Sequence, residues 1–382
     1  MRFNIVIVGG GMVGAAMAIS LKNSDFTVAL IDAAPNDSPD DSRLIALNDN
    51  SVRLLEAIGI WPTLKSHAAP IEHIHVSHRG RFGIARIDCQ ELKVTALGYV
   101  VPAKYINTAL NSALNRMTNL TVIRPATLHH LSQEENNILL RVQTHDSAEQ
   151  SFSADVVIGA DGSFSTVRDL LGLKTDTVDY QQSALVTSTI LQREHKNTAY
   201  ERFVADGAIA MLPLPGLRAA TIWTAANETI KQLLTLSDDA FLRELQMHFG
   251  YRLGRLLRIE KRAVYPLQMM LVKHQKQGNV LLIGNAAHTM HPIAAQGLNL
   301  ALYEVGIVAQ YLQQCTSALT LQNLSVDSLK QNFNKKLSHH LTWLFSSDYF
   351  MLNVARQVGM VGFDMLPGIK KQFALRAMGR KA

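Results

Sequence analysis

Three glycine-punctuated turns carry the residues of this 382-residue chain whose types and spacing could do chemistry. The first, GGGMVG, sets Gly9, Gly11 and Gly14 in GxGxxG spacing around Met12 and Val13, with Asp32 further on. In that pattern the first glycine permits a tight turn, the second lets a diphosphate approach the backbone, and the third lets a helix pack on a strand. A carboxylate about twenty residues later takes a pair of ribose hydroxyls. The second turn, GADGSFSTVR, puts Asp161 and Gly162 at a strand end and Arg168 in the helix that follows. That set could bind a ribose or ribitol hydroxyl and a phosphate; an ordinary strand-to-helix turn with an Asx cap explains it equally well. The third, GNAAHTMHPIAAQGLNLALYE, carries Asn285, Pro292, Gly297, Leu298 and Asn299, which suit a flat ring better than a phosphate. Arriving in this order, each after a β-like run, the three turns describe one dinucleotide gripped from three sides.

Other chemistry is poorly supplied. No acid–base residue emerges; the side chains nearest a bound ring would be His291, Pro292 and Gln296. His288 and His291 have HxxH spacing, but no third ligand and no HExxH pattern follows, so no metal is expected. Ser163 and Ser165 lie outside any GxSxG, which leaves a serine nucleophile unsupported.

These residues need elements to position them. The pattern predicts a strand over Phe3–Val8, a helix over Met12–Lys22 and a strand over Thr27–Ile31, the βαβ unit that brings a diphosphate to a helix N-terminus. Arg43 precedes an amphipathic helix in SRLIALNDNSVRLLEAIGIW and could add charge-assisted hydrogen bonds to the diphosphate. Alternation predicts strands over His73–Val76, Gly83–Ile87 and Lys93–Tyr99 in an inserted sheet. A helix over Tyr105–Met117 and a strand over Leu120–Ile123 return to the first layer, and Ala126 just beyond joins the cofactor-binding set. Ile138–Gln143 and Gln150–Phe152 read as a hairpin, and Asp155–Gly159 as a buried parallel strand. From about Tyr180 to Leu271 the chain is β-rich, broken by one helix over Asp238–Phe249. The fold class is therefore α/β: a Rossmann-like dinucleotide domain (1–70, 100–179 and 272–330), an inserted β-rich substrate domain (71–99 and 180–271) and a helical tail (331–382).

Composition narrows the setting. A hydrophobic fraction of 47% with 18% charge is ordinary for a globular protein with a sizeable core. Cys89 and Cys315 are the only cysteines and have no CxxC spacing, which fits a reducing cytoplasm and excludes a disulfide framework. MRFNIVIVGGG reads as a strand feeding a glycine turn rather than a secretory signal, and no apolar run is long enough to span a bilayer. Charge is concentrated at the end: from Lys330 onward nine Lys/Arg face Asp348 and Asp364, against +6 for the whole chain. Interleaved with Trp343, Phe345, Tyr349 and Phe350, this basic segment suits an anionic inner-membrane surface or a partner protein. Packing of a terminal helix on its own domain explains it equally well. No nucleic-acid motif accompanies the charge.

Taken together, the three turns resemble the class A flavoprotein monooxygenases, the aromatic hydroxylases of the hydroxybenzoate hydroxylase fold. The form IGNAAHTMHPIAAQGLNLALYE is most similar to the branch that hydroxylates polyprenylated phenols in ubiquinone biosynthesis. Within it, Gly–Asn in place of Gly–Asp points to the 2-polyprenyl-6-methoxyphenol hydroxylase type. The resemblance implies FAD, with its ADP half on the first turn and Asp32, and its ribitol and flavin on the turn from Gly284 onward. It also implies NAD(P)H as a transient co-substrate, and O2 added at the flavin C4a as a hydroperoxide that attacks a prenylated phenol. A ubiquinone-biosynthesis protein complex is an implied partner. The chain departs from the branch at Asn285, Ala295, Ala301, Tyr303 and Glu304. Two alternatives stay open: a prenyl-lipid flavin reductase or oxidase, and a non-catalytic flavoprotein scaffold for lipid or partner subunits.

Overall fold

A computed structural model of the chain describes residues 1–35, 41, 43–80, 83–135, 137–145, 148–289, 296–315 and 320–325, with the single positions 372 and 375. His291, Pro292, Ala295 and, apart from those two positions, the basic tail lie outside the described residues.

Five parallel strands form the first layer: Arg2–Val8, Val28–Ile31, Leu120–Ile123, Glu149–Gly159 and Val280–Leu282. Numbered along the chain, they lie side by side in the order 3-2-1-4-5. Covered on both faces, they read as near-continuous Val/Ile/Leu runs rather than as alternating ones. The order reverses between Arg2–Val8 and Glu149–Gly159, and doubly wound sheets bind ligands beyond the strand ends at such a reversal. Gly9 and Ala160 follow those two ends directly. One face is covered by helices Met12–Ser20, Ala103–Leu114 and Gln296–Gln313, which share a core with Ile5, Ile7 and Leu30.

Glu149–Gly159 corrects the expectation of two separate strands. Its first half pairs antiparallel with Ile138–Thr144, and its second half continues in parallel beside Arg2–Val8. A strand that sequence reading missed, Ala126–Gln133, completes this extension.

The second layer is a nine-stranded sheet built around Thr175–Leu191, which pairs with Arg218–Ala226 on one side and Ala263–Val272 on the other. Gly207–Leu214 and Thr198–Val204 follow, and His73–His78 joins them in parallel, bringing Ile84–Asp88 with it. Helices Asn227–Thr235, which was not expected, and Asp238–Phe249 cover one face, packing Phe241, Leu245 and Phe249 on Leu185, Ile209 and Trp223.

A small third sheet holds Leu44–Asn48, Gly98–Pro102 and Ala69–Ile71. It overturns two expectations. The segment after Arg43 is a strand before it becomes the helix Asp49–Ala57, whose first turn is capped by the Asn48 side chain accepting from Ser51 N at 2.9 Å. The strand expected over Lys93–Tyr99 begins only at Gly98, because Lys93 sits at φ 56° in a turn closed on Cys89 and Gln90.

Candidate functional site

The first turn is shaped by contacts that tolerate no side chain at two glycines and leave a third open. Gly9 adopts φ +103°, and a Cβ there would strike the Ala160 backbone. A Cβ on Gly14 would collide with the Gly9 carbonyl oxygen, so this glycine sets how closely helix Met12–Ser20 meets the strand. Gly11 differs: a Cβ there would meet nothing within 4 Å. It occupies the helix N-cap, no side chain caps the helix and no acidic residue stands in its first turn. The free N–H groups and the dipole therefore face an open space suited to an anion. Met12 and Val13 are half-buried against the core. Asp32 lies over the turn, its Oδ2 2.5 Å from where a Gly10 Cβ would stand, and Ala126 N donates to the Asp32 carbonyl at 2.8 Å.

Backbone hydrogen bonds lock the turns together. Gly9 N donates to Ile31 O at 2.7 Å, Ala160 N to Val8 O at 2.7 Å, and Ile283 N to Gly159 O at 2.9 Å. In the second turn, Asp161 Oδ2 accepts from Val167 N at 3.0 Å while Oδ1 is buried without a partner. The Asx cap expected at Asp161 is not what caps the helix: Ser165 Oγ accepts from Arg168 N at 3.0 Å, and Asp161 adds a bond to the helix's first turn. Gly162, at φ +80°, again faces open space.

Arg168, only 9% exposed, donates to Ser163 O at 2.9 Å and to Ala286 O at 3.3 Å. Instead of reaching for a phosphate, it ties the second turn to the third. Arg168→Met should strand both carbonyls and lower stability by about 2–3 kcal/mol, the range for a buried bond to a charged donor. Thermal denaturation with and without added flavin would check this, with the larger loss in the flavin-bound state.

The third turn rests on a buried polar cluster. Glu304, 0% exposed, accepts from Gly284 N at 2.9 Å, from Gln275 Nε2 at 3.0 Å and from His288 Nε2 at 2.8 Å. His288 is 1% exposed, and its other ring nitrogen has no partner. The pairing with Glu304 accounts for this half of the HxxH spacing. Among the described residues no three His, Cys, Asp or Glu group to hold a metal. Asn285 is exposed, its amide 3.4 Å from Ser163 Oγ.

Helix Gln296–Gln313 begins beside this cluster. Gly297 faces open space, and half-buried Leu298 packs on the core. The Asn299 side chain is turned inward: Oδ1 accepts from Asn48 N and Ser51 Oγ at 2.9 and 2.7 Å, and Nδ2 donates to Ala46 O at 2.8 Å. Its amide therefore fixes the small sheet against the third turn. Arg43 is held bidentately by Asp41 at 2.7 and 2.8 Å, which raises its pKa, and it also senses Tyr265 of the nine-stranded sheet.

The face of that sheet away from its helices is only partly covered, and the small sheet packs against part of it. Val76, Glu201, Ala210, Ile222 and Val186 are paired in succession across five strands, and each is only partly buried. Their alternate neighbours on the helix-covered face, Leu185, Ile209 and Trp223, are fully enclosed. Beside this row, Leu212 and Ile222 pack with Leu44, Leu97 and Val100 of the small sheet and its approach. Glu201 is the acidic residue of this row, and burial pushes its carboxyl up to about 7. Sequence reading missed it because a glutamate in TAYERFV looks solvent-facing. The available signal was its parity with Ala199 and Phe203, both buried.

The geometry agrees with what the chain is similar to. The FAD binding domain family matches residues 2–317. The ubiquinone hydroxylase UbiL of Rhodospirillum rubrum is 30% identical over 98% of this chain and 89% of its own length. The 3-demethoxyubiquinol 3-hydroxylase of Escherichia coli K12 is 29% identical over 98% of each. Among solved structures, p-nitrophenol 4-monooxygenase PnpA of Pseudomonas putida DLL-E4 superposes with a TM-score of 0.82 over 100% of this chain and 99% of its own. At 16% identity that likeness shows a shared fold.

Proposed function

The chain belongs to the FAD binding domain family, and from that premise we propose that it hydroxylates the aromatic ring of a polyprenylated phenol in ubiquinone biosynthesis. The observation that carries the reading is an open cradle of three glycines and an unpartnered Asp161 oxygen, set against a partly open apolar wall. The ADP half of FAD would lie on Gly9–Gly14, with Asp32 on the ribose and Arg43 and Ala126 flanking. Asp161, Gly162 and Asn285 would take the ribitol. The backbone of Gly297, Leu298 and Asn299 would face the ring, with His291, Pro292 and Gln296 nearest to it. FAD bound in this cradle would supply the redox chemistry, namely acceptance of hydride from NAD(P)H and activation of O2 for insertion of one oxygen atom into the ring with the other released as water. The protein's share is position and dryness. Helix N-terminal N–H groups at Gln296–Asn299 stabilise negative charge on the ring, and the wall of Val76, Ala210, Ile222 and Val186 excludes water from a prenylated ligand.

The proposal extends to a chain divided at the boundaries the sequence suggests and to a cytoplasmic enzyme touching the inner membrane through its basic tail, within a biosynthetic complex. No described helix is long and apolar enough to cross a membrane. Deleting the chain in its host and profiling quinones by mass spectrometry tests the function. Loss of the quinone, with accumulation of a precursor one oxygen short, is expected. An unchanged profile in a host without a second copy of the activity would refute it.

A further inference from the structure

Glu201 is the feature of the wall that burial alone does not explain. Its strand, Thr198–Val204, lies between Gly207–Leu214 and His73–His78, and the cross-strand neighbours of Glu201 are Ala210 and Val76. Ala199 and Phe203 flank it along the strand, and the next strands add Ile222 and Val186. Its side chain makes no hydrogen bond or ion pair with any described residue, while its backbone lies within the ladders on both sides. The other titratable and charged groups on this side have partners of their own: Arg218 pairs with Glu260 at 2.7 Å and Arg43 with Asp41, the phenol of Tyr265 lies beside Arg43, and His78 of the adjacent strand bonds the Arg79 carbonyl at 2.9 Å. A carboxylate set among apolar side chains with no protein donor suits a ligand that brings a donor of its own. The sheet's other face has its own packed core, so this position was free to be apolar.

We propose that Glu201 is the acid–base group of the substrate wall, accepting the hydrogen bond and then the proton of the ligand's phenolic hydroxyl. The inference rests on the phenol-hydroxylase reading. In the step, the phenol O–H bond breaks and its proton forms an O–H bond on a Glu201 carboxylate oxygen. The electron pair stays on the phenol oxygen and spreads to the ortho and para ring carbons, which become better nucleophiles. Once a ring carbon has gained oxygen, its hydrogen leaves as a proton and joins the oxygen atom that departs as water, while the carboxylic acid returns its own proton to the phenol oxygen; O2 and the nicotinamide reductant of the proposed reaction supply the oxygen and the electrons. Two observations suit the role: strand register sets Glu201 in a row of apolar side chains, and burial brings the carboxyl up to about 7, where a general base works best near neutral pH.

The test uses the full-length flavin-loaded protein, NADPH or NADH, and 2-geranylphenol as probe, comparing wild type with Glu201→Gln. The variant should keep its flavin and bind the probe within about tenfold of wild type, read from the flavin absorbance change. Its hydroxylation rate should fall by about 10²–10⁴-fold, with NAD(P)H oxidation diverted to hydrogen peroxide. The wild-type inflection near pH 7 should vanish, and the variant's rate should recover toward pH 10, where a phenol ionises unaided. Stability gives a second readout. The folded carboxyl sits at about 7 against 4.5 in the unfolded chain, so wild-type stability falls as pH rises between those values. Glu201→Gln should therefore melt above wild type at pH 8.5 and together with it at pH 4. If wild type hydroxylates the probe and the variant matches it in rate and pH profile, the role of Glu201 is overturned. If loaded wild type oxidises NAD(P)H but hydroxylates no phenol, the phenol-hydroxylase reading itself fails.

Discussion

Gly11→Val is expected to yield a folded protein that purifies colourless. The reason lies in what surrounds each glycine of the first turn. A side chain at Gly11 points into space that no protein atom occupies within 4 Å, and its backbone, at φ −65° and ψ −176°, is one any residue adopts. Folding therefore loses little; a non-capping residue at an N-cap costs about 1 kcal/mol. The diphosphate loses both its approach to the backbone and its place on the helix N-terminus. A drop in FAD affinity of at least about 100-fold, equivalent to ~2.7 kcal/mol, should follow. Gly14→Val provides the contrast. Its Cβ would meet the Gly9 carbonyl oxygen, so flavin and fold should be lost together. The ratio of flavin to protein absorbance, read alongside the melting temperature without added FAD, separates the two. A Gly11→Val protein that stays yellow at full occupancy would sink the placement of the diphosphate.

The second large effect is expected at Glu304. Its carboxylate is the shared acceptor for Gly284 N, Gln275 Nε2 and His288 Nε2, in a cluster closed to water. Glu304→Leu removes the acceptor and leaves three buried donors unpaired. Breaking a buried set from one side costs about 3–5 kcal/mol, far more than an exposed pair would. Glu304→Gln keeps one oxygen but turns an N–H toward donors, so an intermediate loss should follow. Because Gly284 opens the third turn, flavin affinity should fall with stability, and saturating FAD should restore much of the melting temperature of Glu304→Gln. Urea denaturation with and without FAD measures both. An unchanged midpoint for Glu304→Leu would show that the cluster is not holding the turn.

Both predictions rest on residues whose legibility in the sequence differed. Gly9, Gly11 and Gly14 were readable because their demand is local: the spacing that fits a diphosphate over a helix N-terminus is a property of six consecutive residues. The five parallel strands were equally plain, since burial on both faces makes each a short apolar run. Boundaries were less so. Gln150–Phe152 and Asp155–Gly159 merge because one strand can pair antiparallel at one end and parallel at the other, a choice made by its partners. The small sheet was misplaced because its strands, Leu44–Asn48 and Gly98–Pro102, hold together by contacts some fifty residues apart.

The amino-acid sequence by itself determined the dinucleotide cradle, the doubly wound layer and the family, because glycine spacing and apolar runs act over a few residues. Tertiary structure alone decided which polar side chains serve ligands and which serve the protein. Arg168 and Asn299 look free in the sequence, yet their donors meet backbone carbonyls far along the chain. Glu304 stands at helical spacing among Leu300, Ala301 and Val308, and only packing supplies Gln275 and His288 to satisfy it. Glu201 is the converse. Its strand alternates as any surface strand might, and strand register alone sets its carboxylate, unpaired, in the row of Val76, Ala210, Ile222 and Val186. A carboxylate's cost or use depends on the dielectric and the donors around it, and those arrive only when distant strands pair.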